Sequence, residues 1–405
     1  MTNILGIICS LVLLLITAIS CYQLVHAALA IFVSKARSGS SRTRTTRFLI
    51  LIPAHNEEDG LPYTLKSLAE LHYPKHLAQT VVIADRCADA TASVAREGGA
   101  LCLERSEGQG GKGSAMSWAM QQLKNASIEF DALVIIDADC LADAHLLEAF
   151  DDALVAGHAV QQGYNYLSNP WESPFTRVIA VTSVLRNFLF YGGKEAFGGS
   201  AMLSGTGMCL GREVVDRYGW SAFSVAEDWE FSVSLLLSNV RIHFNPLARV
   251  FAKESKGLKQ AAHQRLRWAT GKYAVMTNGA RRLFLRGLAE RRIELVDGAL
   301  TLVCPNYSSQ ASMALFAVGC SLLVHHEPAW SFLLLWSVGV FVSLAAYFAL
   351  GIMYTQSPLK TLAGIPYIAI FLPWRLAIEI LGFLGFGRKG WGRTFRDTAT
   401  RRHKT

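Results

Sequence analysis

The start of this chain limits its fold most: residues 4–33 are apolar apart from a few Ser, Thr, Tyr, Gln and His. At about 1.5 Å of rise per residue, a helix over this run exceeds the roughly 20 residues that cross a bilayer. In lipid every backbone amide needs an internal partner, so helix is the local structure left to it. The run is expected to anchor the chain in a membrane. Ala28-Leu29-Ala30 has the small residues of a leader cleavage site, but no basic segment precedes the run and the run is too long for a cleaved leader.

Lys35, Arg37, Arg42, Arg44 and Arg47 follow at once, and the positive-inside bias then places residue 35 onward in the cytosol, with the N-terminus outside. Three further apolar stretches lie at about 309–325, 330–354 and 361–386. If all three cross, the basic tail (Arg388, Lys389, Arg393, Arg396, Arg401, Arg402, Lys404) ends outside, against the charge bias. Two arrangements relieve the conflict. The last stretch, with Arg375 and Glu379 four residues apart, can lie in the interface; or residues 293–308, interrupted by Pro305 and Asn306, can make a re-entrant pass. The expected organisation is an anchor over 1–34, a basic linker over 35–47, a soluble domain over 48–275, an interfacial region over 276–308, membrane segments over 309–386 and a basic tail over 387–405.

With 51% hydrophobic and 17% charged residues among 405, the chain holds one large domain and several membrane segments and is not a typical soluble enzyme. Its net charge of +8 suits an anionic membrane surface, a nucleotide, a polyanionic glycan or nucleic acid, and does not choose among them. Eight cysteines without a Cys-x-x-Cys pair argue against a zinc ribbon or disulfide scaffold and for a reducing compartment.

Between residues 48 and 275, β-rich runs alternate with helical patterns, the mark of an α/β fold with an open, mostly parallel sheet. The runs 48–52, 81–84 and 133–136 read as strands buried on both faces, and Leu61, Leu65, Leu68 and Leu71 recur at helical spacing. Ligands of such sheets bind beyond the carboxyl ends of the strands. The unusual polar residues fall there: Pro53-Ala54-His55-Asn56-Glu57-Glu58, Asp85-Arg86-Cys87-Ala88-Asp89 and Asp137-Ala138-Asp139. Clustered carboxylates are costly unless a cation or hydrogen-bond donors meet them, and Asp-x-Asp offers oxygen ligands to a hard divalent ion. Mg2+ or Mn2+ chelated by a diphosphate fits that description. An ordinary loop or helix cap is the alternative.

Gly108-Gln109-Gly110-Gly111-Lys112-Gly113 matches G-x-G-x-x-G, but at least two strands precede it and Lys112 sits among the glycines, which suits an anionic ligand better than a dinucleotide fingerprint. A Gly-rich turn with an exposed lysine is the plain alternative. Ser204-Gly205-Thr206-Gly207 lets backbone approach a ligand. Ala226-Glu227-Asp228-Trp229-Glu230 places three acids before an apolar stretch, a pattern that a helix N-terminus also favours for its dipole. Gln264-Arg265-Leu266-Arg267-Trp268 lies in a run with Lys253, Lys256, Lys259 and Lys272. An arginine can fork a phosphate there and a tryptophan can stack on a sugar, or the whole helix can rest on a membrane surface.

Taken in order, PAHNEE, ADRCAD, GGKGSA, DAD, SGTG, AEDWEF and QRLRW resemble the motif series of family 2 glycosyltransferases. The branch is that of cellulose, hyaluronan and chitooligosaccharide synthases and ceramide-type glucosyltransferases. The resemblance implies a GT-A, Rossmann-like cytosolic domain and a nucleotide-sugar donor, UDP-glucose or UDP-N-acetylglucosamine. It implies His55, Glu57 and Asp85 at the nucleoside, Lys112 and Arg267 at the diphosphate, and Asp137 with Asp139 holding the nucleotide and Mg2+ or Mn2+. Asp228 corresponds to the base that deprotonates the acceptor in an inverting displacement. Glu227, Gln264, Trp268 and the Gly205, Thr206, Gly207 loop fall at the acceptor end.

The implied partners are a glycan or lipid-linked acceptor and membrane lipids, with no nucleic acid, and with room for a homo-oligomer or an export partner. The implied location is a cell membrane, bacterial inner membrane in type, with a cytoplasmic catalytic domain. Processive synthases of this kind carry more membrane helices than this chain, so product export by one subunit is in question. A glycolipid glucosyltransferase making a single transfer is the closest competitor. A nucleotide-binding oxidoreductase and a catalytically dead sensor stand further off, and a retaining hydrolase explains neither the membrane segments nor the basic groups.

Overall fold

The computed structural model describes residues 2–33 and 43–387. Lys35, Arg37, Arg42 and the basic residues from Arg388 onward lie outside the described residues. One mixed sheet organises the part of the chain between the apolar ends. Its strands are β1 (Phe48–Ala54), β2 (Ala78–Asp85), β3 (Leu101–Arg105), β4 (Ala132–Ile135), β5 (Cys140–Ala142), β6 (Val160–Leu167), β7 (Met208–Gly211) and β8 (His243–Ala252). Their spatial order is β3-β2-β1-β4-β7-β6-β8-β5.

Every residue of β1 is buried because helices cover both faces, which is why the strand reads as an unbroken apolar run. Leu49, Leu51, Val81, Ile83, Leu133 and Ile135 point into one core with Ala115, Met116 and Phe231. Phe48, Ile50, Ile52, Val82 and Val134 point into the other with Leu61, Leu65 and Phe150. Strands β3, β2, β1 and β4 are parallel, so the loops after β1, β2 and β4 leave the same edge. The expectation of a mostly parallel sheet holds for this half. Beyond β4 the pairing is mixed: β7 runs antiparallel to β4 and β6, and β5 antiparallel to β8. The physical reason is where β7 begins. The Ser204–Gly207 turn sits at the carboxyl edge beside Gly163, so the strand that follows it must run back.

Beneath one face lies a helix over Pro174–Val184, continued by a π-helical turn over Leu185–Tyr191 and by Gly192–Phe197. The 32-residue helix Leu258–Ala289 carries QRLRW and runs unbroken through residue 275. The N-terminal helix Thr2–Phe32 is tied to this layer by a buried cluster. Lys194, fully buried, pairs with Asp297 at 2.7 Å, and the Tyr22 hydroxyl donates to the other oxygen of Asp297 at 2.5 Å. Breaking a buried pair of this kind costs about 3–5 kcal/mol because one charge is left uncompensated.

Among the described residues, four helical segments are long and apolar enough to cross a membrane: Asn3–Phe32, Tyr307–Val324, Phe332–Met353 and Pro358–Phe383. The first three run side by side. Asn3 accepts a hydrogen bond from Trp330 at one end, and at the other Tyr347 donates to the carbonyl of Leu185 beside the sheet domain. The fourth differs. At its start Lys360 stands over the Trp171 ring at 5.1 Å, and at its end Glu379 accepts from Tyr273 while the Gly387 amide donates to Thr270. Both ends therefore touch the sheet domain and its long helix.

Candidate active site

Two loops form one end of the site. After β1, the His55 ring nitrogen Nδ1 pairs with the carbonyl of Asp85 at 2.7 Å. Asn56 accepts from the Ala88 amide, the Glu57 amide donates to Thr91, and the Glu58 amide donates to Asp89. Asn56 and Arg86 both adopt positive φ, at 56° and 49°, conformations that side-chain-bearing residues keep only where their surroundings hold them. Asp85 is fully buried. One of its oxygens accepts from Arg105 at 2.9 Å and the other from Nε and Nη2 of Arg86 at 3.1 and 3.0 Å.

The centre is built around Lys112, first residue of the helix Lys112–Asn125. Its ammonium donates to Asp137 at 2.5 Å and to the Gly205 carbonyl at 2.6 Å, and it stands 3.9 Å from Glu227. Next to it, Gly113 is required, because any Cβ there would collide with the carbonyl of Ala222. Burial opposes the charge of Lys112, yet Asp137, Glu227 and Asp228 together raise its pKa above that of an ordinary lysine. Sequence alone allowed Lys112 to be an exposed turn residue; its side chain is only 10% exposed.

Glu227 and Asp228 open the helix Glu227–Leu237. Burial raises the pKa of both above the usual carboxylate range; Lys112 pulls each down, and each also feels a neighbouring acid. The Asp228 carboxylate accepts from the Trp229 amide at 2.8 Å. Gly205, at φ 78°, lets the turn pass close to the pair: a Cβ there would lie 3.5 Å from both Asp228 Oδ2 and Lys112 Nζ. Thr206 accepts from the Asp137 amide through its hydroxyl, and Gly207 is also left-handed.

Asp137, Asp139 and Cys140 offer ligand atoms within 4.8 Å of one another. Cys140 is buried, its thiol aimed at Asp139, which leaves two carboxylates as the outward donors. Oxygen donors of that kind fit Mg2+ or Mn2+ rather than a thiophilic ion.

Arg267 approaches from the long helix. Its pKa is lowered by burial and held up by Glu227, Asp137 and Asp228, so its charge faces the acids. Trp268 is 43% exposed, and Arg265, paired with Glu254, lies over its ring at 5.1 Å. The fold thus gathers Lys112, Asp137, Asp139, Gly205, Thr206, Gly207, Glu227, Asp228 and Arg267 into one centre, with His55, Glu57 and Asp85 along the edge. Gln264 and Trp268 sit on the Arg267 helix without a contact to the acids among those described.

Several residues escaped the sequence. Tyr191 is buried, and its phenol is pushed up to about 12, by burial first, with Asp228 adding to the shift. Lys272 lies over Trp229 at 5.4 Å and donates to the carbonyl of Cys304. Arg105 anchors Asp85 from β3. Of these only Lys272 had a signal, its place in the basic run.

Residues 46–271 match the family described as glycosyltransferase like family 2. The "Probable glycosyltransferase YdaM" of Bacillus subtilis is 26% identical over 326 residues, covering 77% of this chain and 74% of that protein. Among solved structures, the mannosyltransferase PcManGT of Pyrobaculum calidifontis, in complex with GDP-Man and Mn2+, superposes with a TM-score of 0.56 at 16% identity. It covers 91% of this chain and 99% of that one. The fold is that of a GT-A enzyme with long apolar helices at both ends, and the chain belongs to glycosyltransferase family 2, the enzymes that move a sugar from a nucleotide-sugar donor.

Proposed function

We propose that this enzyme transfers a hexose with inversion from UDP-glucose or UDP-N-acetylglucosamine to a growing oligosaccharide or polysaccharide at the cytosolic face of the membrane. One observation carries the reading: Asp228, a buried carboxylate with raised pKa, and Lys112, paired with Asp137, meet at Gly205, where a Cβ would lie 3.5 Å from both. A buried carboxylate of that kind can take a proton from an acceptor hydroxyl as the oxygen attacks the anomeric carbon. Lys112 and Arg267, both facing the acids, stabilise the charge that collects on the departing diphosphate. Asp137 and Asp139 would hold Mg2+ or Mn2+, which supplies further neutralisation of that charge when bound. Gly205–Gly207 and the Gln264 to Trp268 face of the long helix form the acceptor side.

The test is release of nucleoside diphosphate by the purified full chain in detergent across a panel of nucleotide sugars. Donor-specific release that EDTA removes, and that Asp139→Ala weakens through donor affinity, supports the reading. Release from no donor, with candidate acceptors present, would sink it. A second reading, single transfer to a membrane lipid, is favoured by the apolar helices packed against the catalytic layer, where Tyr347 of Phe332–Met353 donates to the Leu185 carbonyl. A ladder of products supports the first reading and a single glycolipid the second.

The same contacts bear on topology. Because both ends of Pro358–Phe383 touch the catalytic layer, three crossings and an interfacial fourth segment fit best, with 48–275 as the catalytic unit and 276–308 its interfacial extension. That arrangement puts the basic tail on the cytosolic side, in keeping with the charge bias. A fluorescent protein fused after Thr405 in a bacterial host should fluoresce, and alkaline phosphatase fused there should be inactive. The reverse pattern would mean that the fourth segment crosses.

A further inference from the structure

On the edge of the sheet opposite the catalytic loops lies a recess of about 390 Å³, within the size range of small-molecule sites. Strand direction places it there: β7 runs antiparallel to β4 and β6 and ends beside their first residues, and β8 starts beside β6. The four residues of β7, about 14 Å of extended chain, separate the recess from Gly207 and the groups gathered around Lys112. His158, just before β6, lines it with Arg241 and His243 at the start of β8, and Glu213 and Arg217 line it from the helix Arg212–Tyr218.

The basic groups are held in place without being fully neutralised. The His158 and His243 rings stack face to face, with centroids 3.9 Å apart and planes 1° from parallel. Glu195 accepts from Nη2 of Arg241 at 2.6 Å and stands 2.9 Å from Nδ1 of His243, while Nε of Arg241 donates to the Gly199 carbonyl at 2.8 Å. Nη1 of Arg241 is left without a partner among the described residues. Arg217 lies over the Tyr218 ring at 5.4 Å and has no ion pair among the described residues. Burial, with His243 and Arg241, lowers the pKa of His158 against the pull of Glu195. Glu213 is the one acid among the lining residues described. Basic groups crowded in this way repel one another until an anion joins them.

We propose that this recess binds a phosphate group, carried either by a small soluble molecule or by a lipid headgroup. Guanidinium forks match the oxygens of a phosphate, and imidazole edges add further donors. The position admits either source. Glu195 is two residues from Gly193, where a Cβ would collide with the carbonyl of His26 on the anchor helix, and Arg292 donates to Asn239 in the recess wall. The recess is thus bounded by the helix that packs on the anchor and by the turn into Ile293–Val303, both next to the bilayer in the topology proposed above.

The test is calorimetric titration of the full chain in detergent with inorganic pyrophosphate and EDTA, on a Lys112→Met background that removes the cation from the catalytic crevice. One saturable site should remain, and Arg217→Gln should weaken it at least about tenfold, the scale of losing a hydrogen bond to a charged group. Arg217→Lys, which keeps the charge, should restore most of the affinity. In the otherwise wild-type chain, Arg217→Gln should remove the same site and leave binding at the crevice. Native mass spectrometry with phosphatidylglycerol or phosphatidylcholine added separates the two sources. A headgroup ligand gives a phosphatidylglycerol adduct that Arg217→Gln abolishes; a soluble ligand gives the pyrophosphate site without that adduct. Pyrophosphate binding indifferent to Arg217 together with no Arg217-dependent adduct would overturn the proposal, whichever donor the catalytic crevice takes.

Discussion

Asp228→Asn should lower kcat by about 10²–10⁴-fold, the usual contribution of a positioned general base, while donor affinity changes only a few-fold. The substitution keeps the shape of the side chain and the hydrogen bond from the Trp229 amide. It removes the only function the mechanism asks of this group, the capacity to take a proton. Glu227 lies next to it and also has a raised pKa, but it stands 3.9 Å from Lys112, on the leaving-group side. Glu227→Gln should therefore act through the charge balance at Lys112 and cost less. Steady-state kinetics paired with titration of the nucleoside diphosphate separates the two. If Asp228→Asn kept a tenth or more of its activity while Glu227→Gln lost nearly all of it, the base would be Glu227.

The second large effect belongs to Lys112. Its ammonium is bonded to Asp137 and to the Gly205 carbonyl, and it is the cation that lowers the pKa of both Glu227 and Asp228. Lys112→Met should reduce kcat/KM by about 10²–10³-fold, the scale of losing one donor to a developing negative charge. It should also move the pH profile. The base works as a carboxylate, so activity must fall as pH drops through the pKa of Asp228, which burial pushes above the usual carboxylate range. Without the ammonium the carboxylate form is less favoured and its pKa rises further, so the acid limb must shift to higher pH. An unmoved limb, or one displaced to lower pH, would mean that Asp228 is not the group titrating.

These two residues also mark where the sequence was informative and where it was not. Asp228 stood out because an acid pair opened an apolar helix within an ordered motif series, although a helix N-terminus alone explains such a pair. Lys112 was ambiguous, because a lysine among glycines is as easily an exposed turn residue. Only the approach of the Ser204–Gly207 turn, 93 positions away in the chain, turned it into a buried cation holding two partners. Asp85 illustrates the opposite case. Its position after β2 was legible, but its partners were not, since Arg105 comes from β3 and Arg86 reaches it through a left-handed backbone that no local pattern announces. Tyr191 gave no signal, because a tyrosine in an apolar helix looks like core wherever it points.

The membrane segments divide in the same way. Four apolar runs are countable from hydropathy, and the conflict between the last of them and the basic tail is plain from the distribution of charge along the chain. What relieves the conflict is contact: Lys360 over Trp171, Glu379 with Tyr273, and Gly387 with Thr270.

By itself, the sequence determined what short-range periodicity and composition can express: the buried strands of the parallel half-sheet, the apolar spans, and the loops at the strand ends where polar residues collect. The tertiary structure decided everything that depends on pairs distant in the chain. It set the antiparallel β7, the pairing of Lys112 with Asp137, the enclosure of Asp228 and the saturation of Asp85. The reason is physical. Periodicity reports which face of an element avoids water, whereas the charge state and partners of a buried polar group are set by whichever atoms the completed fold brings within about 3–4 Å of it.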